Sequence, residues 1–172
     1  ISTIPLQNLI PCLDGIPDEV RKAVADLKYN SVMAIGIGIQ GTVPPYSWAY
    51  IPDAGASLAN RISFPSNFSD TTAPEGCSSI LAEITYNEGD EISRMTDAEV
   101  TDHVITSLSS LGLFTVYQVV ATQITRNKFA YVVYALVYLK NIATIREYFK
   151  SRGIPLVGRF SQFEYLNMDG II

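Results

Sequence analysis

The stretch Ser31-Val32-Met33-Ala34-Ile35-Gly36-Ile37-Gly38-Ile39 decides the fold, because it is almost wholly apolar and rich in β-branched residues. Such a run is typical of a strand buried in a sheet. The residues from Gly36 to Gly41 also match the pattern G-x-G-x-x-G of dinucleotide-binding loops. That pattern needs a helix directly after the third glycine, and Thr42-Val43-Pro44-Pro45 cannot form one. We therefore predict a glycine-rich strand here and no nucleotide-binding loop.

Three helices are predicted from apolar periodicity and from the residues at their ends. The first runs from Asp18 to Leu27, with acidic residues in its first turn. The second follows a capping-box pattern, Thr96-Asp97-Ala98-Glu99, and continues to Gly112. The third runs from about Asn141 to Arg152 and is followed by a glycine.

Strand-like segments fill much of the remaining chain. They are predicted, in chain order, at 31–39, 48–51, 61–64, 79–86, 115–125 and 130–139, with a last short strand at 155–157. Arg126-Asn127-Lys128 is predicted to form the turn between the fifth and the sixth. The first four strands are predicted to form an antiparallel meander. The elements together predict an α+β fold, in which helices pack on a mostly antiparallel sheet.

Composition excludes several classes of protein. The 172 residues, 48% of them hydrophobic, suffice for one domain with a real core. The net charge of -5 and the scattered basic residues argue against nucleic acid as a partner. No membrane span is predicted, because the longest apolar run, Ala130 to Leu139, is far shorter than the ~20 residues that a bilayer requires. The first residues do not resemble a signal peptide, and Cys12 and Cys77 are expected to be reduced thiols of a cytoplasmic protein.

A few side chains with possible chemistry have open interpretations. Arg61, flanked by strand residues, must either reach solvent or bind an anion. Tyr131 and Tyr134 lie between apolar residues of a predicted strand, where aromatic side chains are common as packing. The single histidine, His103, lies beside Asp102 on a helix flank, which supports neither a Ser-His-Asp triad nor a metal site. No catalytic residue and no metal ligand is predicted.

The tail of the chain resembles a known family. Gly158-Arg159-Phe160-Ser161-Gln162-Phe163-Glu164-Tyr165-Leu166-Asn167-Met168-Asp169 is similar to the flavin-closing motif of the FAD-dependent amine oxidase and protoporphyrinogen oxidase superfamily. The opening Ile1-Ser2-Thr3-Ile4-Pro5-Leu6 resembles that superfamily's strand between the flavin domain and the substrate domain. Proteins similar to UDP-galactopyranose mutase are the closest branch, through segments around Leu27–Ser31, Trp48–Pro52 and Arg61–Ser69.

The resemblance implies site residues at matching positions. The substrate-binding residues that it implies are Arg61, Phe68, Tyr131, Tyr134, Arg159 and Tyr165. The residues implied for contact with FAD are Gly158, Arg159, Asn167, Met168 and Asp169, with amides of a helix that begins near Met168-Asp169-Gly170-Ile171-Ile172. Three positions depart from the family: Phe68 lacks a tyrosine hydroxyl, Val132 replaces a proline and Ser161 replaces a glycine.

The resemblance also implies how the chain is organised. Residues 1–157 are expected to form a substrate-binding domain that begins with one connecting strand, and residues 158–172 to begin the flavin-contacting motif. Because the pyrophosphate of FAD is held by an N-terminal Rossmann part in this family, that missing domain is the expected partner, and the chain alone is expected to retain little FAD. A small-molecule substrate and a homo-oligomer are also expected. Three functions remain open: an FAD-dependent oxidoreductase, a sugar-nucleotide mutase, and a non-enzymatic binding module of the same fold.

Overall fold

The computed structural model describes residues 1–171, with Asp70 described by its backbone alone. Ile172, the last residue of the predicted flavin-contacting motif, lies outside the described residues. The helices are α1 (Leu6–Leu9), α2 (Asp18–Ala25), α3 (Glu91–Arg94), α4 (Asp97–Ser110), α5 (Tyr138–Ser151) and α6 (Arg159–Gln162). The strands are β1 (Lys28–Gln40), β2 (Trp48–Tyr50), β3 (Arg61–Ser63), β4 (Cys77–Tyr86) and β5 (Val119–Val133). Short 3₁₀ turns lie at Ile10–Cys12, Pro65–Asn67, Asp70–Thr72, Val116–Gln118 and Met168–Gly170.

The chain divides into two compact units. The terminal unit comprises Ile1–Asn30 and Phe129–Ile172, and the central unit comprises Ser31–Lys128. Each has its own cluster of buried apolar residues. The predicted boundary after residue 157 concerns function and stays a prediction. No helix within residues 1–171 combines the length and the apolar character that crossing a bilayer requires.

The sheet has the strand order β2-β3-β4-β1-β5, and its fold class is α+β with antiparallel pairing, as predicted. The predicted meander is correct only for β2, β3 and β4, because β1 lies between β4 and β5. β1 has a buried residue at every second position from Ser31 to Ile39, and an interior position gives both of its edges a hydrogen-bonding partner. Gly36 and Gly38 lie within β1, which confirms the prediction of a glycine-rich strand.

The core of the central unit lies on one face of its sheet. Alternate residues of β1, such as Ile35 and Ile37, are buried there together with Ile80 and Ile84 of β4. Helix α4 covers this face with its apolar stripe, which consists of Val100, Val104 and Leu108. Burial of a side chain of this kind contributes about 1.5–3 kcal/mol, so this stripe fixes where the helix lies. The predicted capping box is confirmed, since the Thr96 hydroxyl accepts a hydrogen bond from the Glu99 amide at 3.2 Å.

Helices α2 and α5 form the core of the terminal unit. They pack against each other and bury Val20 and Val24 of α2 with Ile145 and Phe149 of α5. Phe163, just after α6, is fully buried in the same cluster. The tail is thereby attached to the core of this unit.

The predicted turn at Arg126-Asn127-Lys128 is wrong, because these residues continue β5 without a break. Two of these residues have partners on other elements. Arg126 Nε donates to Asp97 Oδ1 of α4 at 2.7 Å, and the Lys128 carbonyl oxygen accepts from the Ser31 hydroxyl of β1 at 2.9 Å. Most of β5 is exposed, and an exposed strand tolerates polar residues that would otherwise indicate a turn.

Several predicted boundaries in the last third of the chain are also wrong. The strand predicted over 130–139 ends at Val133, so Tyr134 lies outside it, and α5 begins at Tyr138, three residues before the predicted start. The strand predicted over 115–125 begins only at Val119, after a 3₁₀ turn. The short strand predicted over 155–157 is a single parallel bridge between Leu156 and Ser2. Local composition does not determine these ends, because they depend on which backbone groups find a partner in the fold.

Candidate substrate site

Four of the predicted site residues come together in the terminal unit and form a tyrosine–arginine cluster, which consists of Tyr131, Tyr134, Arg159 and Tyr165. The rings of Tyr131 and Tyr165 are nearly parallel, with centroids 6.0 Å apart and planes inclined by 14°. The guanidinium carbon of Arg159 lies 4.8 Å from the centroid of the Tyr165 ring. This distance is within the range of a cation–π interaction. The cluster therefore presents aromatic faces beside a positive charge.

Backbone carbonyl groups hold the Arg159 guanidinium in place. Its Nε and Nη2 atoms donate to the Leu166 carbonyl oxygen at 2.9 and 2.6 Å, and its Nη1 donates to the Ala130 carbonyl oxygen at 3.2 Å. Among the side chains that the structure describes, no carboxylate forms an ion pair with Arg159. A positioned guanidinium whose charge is not balanced by a carboxylate is suited to binding an anion.

The local backbone explains how the tail reaches this position. Gly158 precedes α6 with a φ of 97°, which a residue with a side chain rarely adopts, and Phe163 ends α6 in the left-handed conformation with a φ of 54°. The Gly158 amide donates to Gln162 Oε1 at 3.0 Å. Because the Phe163 ring is buried, its strained backbone is held in place, and the chain reverses so that Tyr165 faces Tyr131.

Tyr134 joins this cluster to a neighbouring pocket. Its hydroxyl accepts a hydrogen bond from the Tyr165 amide at 2.7 Å, and its ring lies 4.6 Å from that of Tyr138. The Tyr138 hydroxyl donates to the Phe163 carbonyl oxygen at 2.9 Å. Burial raises the pKa of Tyr138, with smaller contributions in the same direction from Tyr134 and Glu164. The pocket has a volume of about 590 Å³, and both tyrosines and Tyr165 line it.

Arg61 and Phe68 lie in the central unit, on different elements. Arg61 is directly opposite Glu83 in the β3–β4 pairing, and its Nη2 atom lies 2.5 Å from Oε1 and 2.7 Å from Oε2 of that carboxylate. The anion beside Arg61 is thus the protein's own Glu83. Phe68 is exposed at the end of the 3₁₀ turn Pro65–Asn67.

The pairing of β2 with β3 adds two aromatic residues to the surface that carries Arg61. Tyr50 is opposite Arg61 and Trp48 is opposite Ser63, and residues that are directly opposite share one face of a sheet. Both rings are more than half exposed. Sequence reasoning did not assign these two residues to a site, although strand alternation places them on the same face of β2. Glu83 was also missed, since its pairing with Arg61 depends on the strand order.

Of the residues predicted to contact FAD, two already have hydrogen-bonding partners in the protein, and three are exposed. The Gly158 amide already has an acceptor, and Arg159 is held by carbonyl groups. Asn167, Met168 and Asp169 are exposed, and Met168 begins a 3₁₀ turn in place of the predicted first turn of an α-helix. Within residues 1–171, no acceptor is found for the amides of Met168 and Asp169. These two amides can therefore donate to an anionic group of a ligand.

Solved structures give clear matches to this fold. A crystal structure of reduced UDP-galactopyranose mutase matches 95% of the chain with a TM-score of 0.85 and 25% sequence identity. A protein from Exiguobacterium sp. 255-15, provisionally named protoporphyrinogen oxidase, matches 91% with a TM-score of 0.73 and 15% identity. The chain spans 36% and 35% of these two proteins. Neither protein-family profiles nor curated protein sequences match the chain.

These matches confirm the fold that the resemblance predicted. The chain has the fold of about one third of a UDP-galactopyranose mutase and of the Exiguobacterium protein. The five-stranded antiparallel sheet and its helices are the part that corresponds. A fold can support many reactions, so the chemistry must be argued from the site residues.

Proposed function

We propose that this chain supplies the substrate-binding part of an FAD-dependent oxidoreductase of the amine oxidase and protoporphyrinogen oxidase type. The tyrosine–arginine cluster carries this proposal, because the protein orients Arg159 and none of the described carboxylates neutralises it. FAD, when bound, supplies the acceptor for two electrons. A separate flavin-binding domain holds most of the cofactor, and this chain contributes the Met168 and Asp169 amides.

The cluster has a defined role in this proposal. Arg159 binds an anionic group of the substrate through the N–H groups that its two carbonyl partners leave available. The Tyr131 and Tyr165 rings contact a flat or apolar part of the substrate and exclude water from it. Tyr134 fixes the backbone of Tyr165 and is a positioning residue.

A sugar-nucleotide isomerase of the UDP-galactopyranose mutase type is the second candidate. It is favoured by the likeness to the mutase structure, at a TM-score of 0.85 and 25% identity. The exposed Trp48 and Tyr50 rings beside Arg61 also favour it, because aromatic faces and a guanidinium suit a nucleotide sugar. Arg61 would then have to exchange part of its contact with Glu83 for the diphosphate.

Titration calorimetry with inorganic pyrophosphate tests the proposed role of Arg159. Arg159→Gln should weaken binding by about tenfold or more, because a hydrogen bond to a charged group contributes about 1.5–3 kcal/mol. Arg152→Gln is the matched control, since Arg152 also lies over a tyrosine ring, at 6.0 Å from Tyr148, but outside the cluster. Equal effects of the two substitutions, or no binding at millimolar pyrophosphate, would contradict the proposed anion site.

Two further measurements separate flavin dependence from the choice of reaction. A protein in which this chain is joined to its proposed flavin-binding domain, purified without unfolding, should be yellow and should release FAD on denaturation. If that protein is colourless and takes up no added FAD, the flavoenzyme proposal is contradicted. If UDP binds much more tightly than pyrophosphate and Arg61→Gln loses this UDP affinity, the isomerase is favoured. Absence of UDP binding at millimolar concentration excludes it.

A further inference from the structure

We infer that the pocket beside the tyrosine–arginine cluster accepts an alkyl or isoprenoid chain, so that the substrate is amphipathic, with an anionic group on Arg159 and an apolar tail in the pocket. This inference rests on the proposed function, since it takes Arg159 as the anion-binding residue. It adds the chemical class of the substrate, which neither the fold nor the site residues predicted from the sequence specify.

The pocket and the cluster share residues within the terminal unit. Tyr134 and Tyr165 belong to both, and Leu166, which lines the pocket, provides the carbonyl oxygen that holds the Arg159 guanidinium. A ligand whose charged end lies on Arg159 can therefore extend across the Tyr165 ring into the pocket. The volume of the pocket, about 590 Å³, lies within the range of small-molecule sites.

The lining of the pocket is suited to an apolar group. It includes the side chains of Leu136, Leu139 and Ile142 in addition to the tyrosine rings. Leu136 is fully exposed and Leu139 is 76% exposed, so both can lose much apolar surface to a bound chain. Both leucines line the pocket, so a bound apolar chain can cover them.

In the described part of the chain, the charged side chains that line this pocket are one arginine and one glutamate, and they neutralise each other. Arg146 Nη2 donates to Glu164 Oε1, and Arg146 also donates to the Gln162 carbonyl oxygen at 3.4 Å. The pair therefore offers no net charge to a second anionic or cationic group. The charge that selects the ligand comes from Arg159 at the side of the pocket, which matches an amphipathic anion better than a ligand with charges at both ends.

An alkyl phosphate series, from methyl to octyl phosphate and kept below micelle-forming concentrations, tests the inference by titration calorimetry on the full chain. Each methylene that becomes buried should tighten binding by up to about fourfold, until the pocket is full. The double variant Leu136→Ser/Leu139→Ser should remove most of this dependence on chain length while leaving methyl phosphate binding unchanged. Leu111→Ser, at a half-exposed leucine of the central unit, is the control and should not alter the series.

The outcomes separate this inference from the proposed function. Affinity that does not depend on chain length, with Arg159-dependent binding of methyl phosphate, overturns the apolar tail and leaves the anion site intact. If no member of the series binds, both are overturned. If the chain self-associates in sedimentation experiments and the double variant abolishes this, a second copy covers the leucines and the inference is wrong.

Discussion

The Arg61–Glu83 pair provides a test of how the sheet of the central unit is held together. The two residues are directly opposite on β3 and β4, and the guanidinium contacts both carboxylate oxygens, with Nε 3.0 Å from Oε1 as well. The Arg61 side chain is 36% exposed and that of Glu83 14% exposed. The pair is thus neither a solvated surface contact nor a fully buried one.

The expected magnitude follows from this intermediate burial. Exposed ion pairs contribute about 0.2–1 kcal/mol, whereas removal of one partner from a buried pair costs about 3–5 kcal/mol. For Arg61 and Glu83 we expect a coupling free energy of about 1–2 kcal/mol after allowance for solvent screening. Glu83→Gln should lower the free energy of unfolding by a similar amount, because a neutral amide replaces the carboxylate beside the guanidinium.

A double-mutant cycle measures this coupling. The free energies of unfolding of the parent chain, Glu83→Gln, Arg61→Met and the double variant are obtained from urea denaturation, at low salt and again at high salt. The coupling should decrease only modestly at high salt, because the carboxylate is mostly buried. A coupling within about 0.3 kcal/mol of zero would refute the assignment of this pair as a structural contact.

Further substitutions test three local features of the fold. Thr96→Ala removes the hydroxyl that caps α4 and should lower the free energy of unfolding by about 1 kcal/mol, seen as a decrease of about 2–4 °C in the melting temperature. Gly41→Ala should lower the free energy of unfolding by about 1–3 kcal/mol, because Gly41 has a φ of 115°. Gly38 is the control: it has an ordinary strand conformation with space for a methyl group, so Gly38→Ala should lower the free energy of unfolding very little. Equal losses in the two variants would contradict the backbone argument. Burial raises the pKa of Tyr138, so its hydroxyl keeps its proton in the folded state at a pH where the unfolded chain has lost it. The free energy of unfolding should therefore fall as the pH rises above about 10. Tyr138→Phe should reduce this alkaline loss in pH-dependent urea denaturation, and an unchanged slope would contradict the assignment.

Sequence alone identified the features that depend on nearby residues. The apolar run that forms β1, the capped helix α4 and the two other long helices follow from local periodicity and end signals, and the structure confirms them with small shifts at their ends. Four of the predicted site residues also come together, and they form the tyrosine–arginine cluster. Their functional roles stay predictions.

Tertiary structure decided the features that depend on distant partners. Residues 126–128 have the composition of a turn, yet they form part of a strand, because Asp97 and Ser31 provide partners that lie far away in sequence. Glu83 became the counter-ion of Arg61 only through the order of the strands. Local propensities amount to fractions of a kcal/mol per residue, and a single tertiary hydrogen bond or buried side chain outweighs them. For that reason the sequence predicted the elements of this protein, and the packing determined which side chains meet.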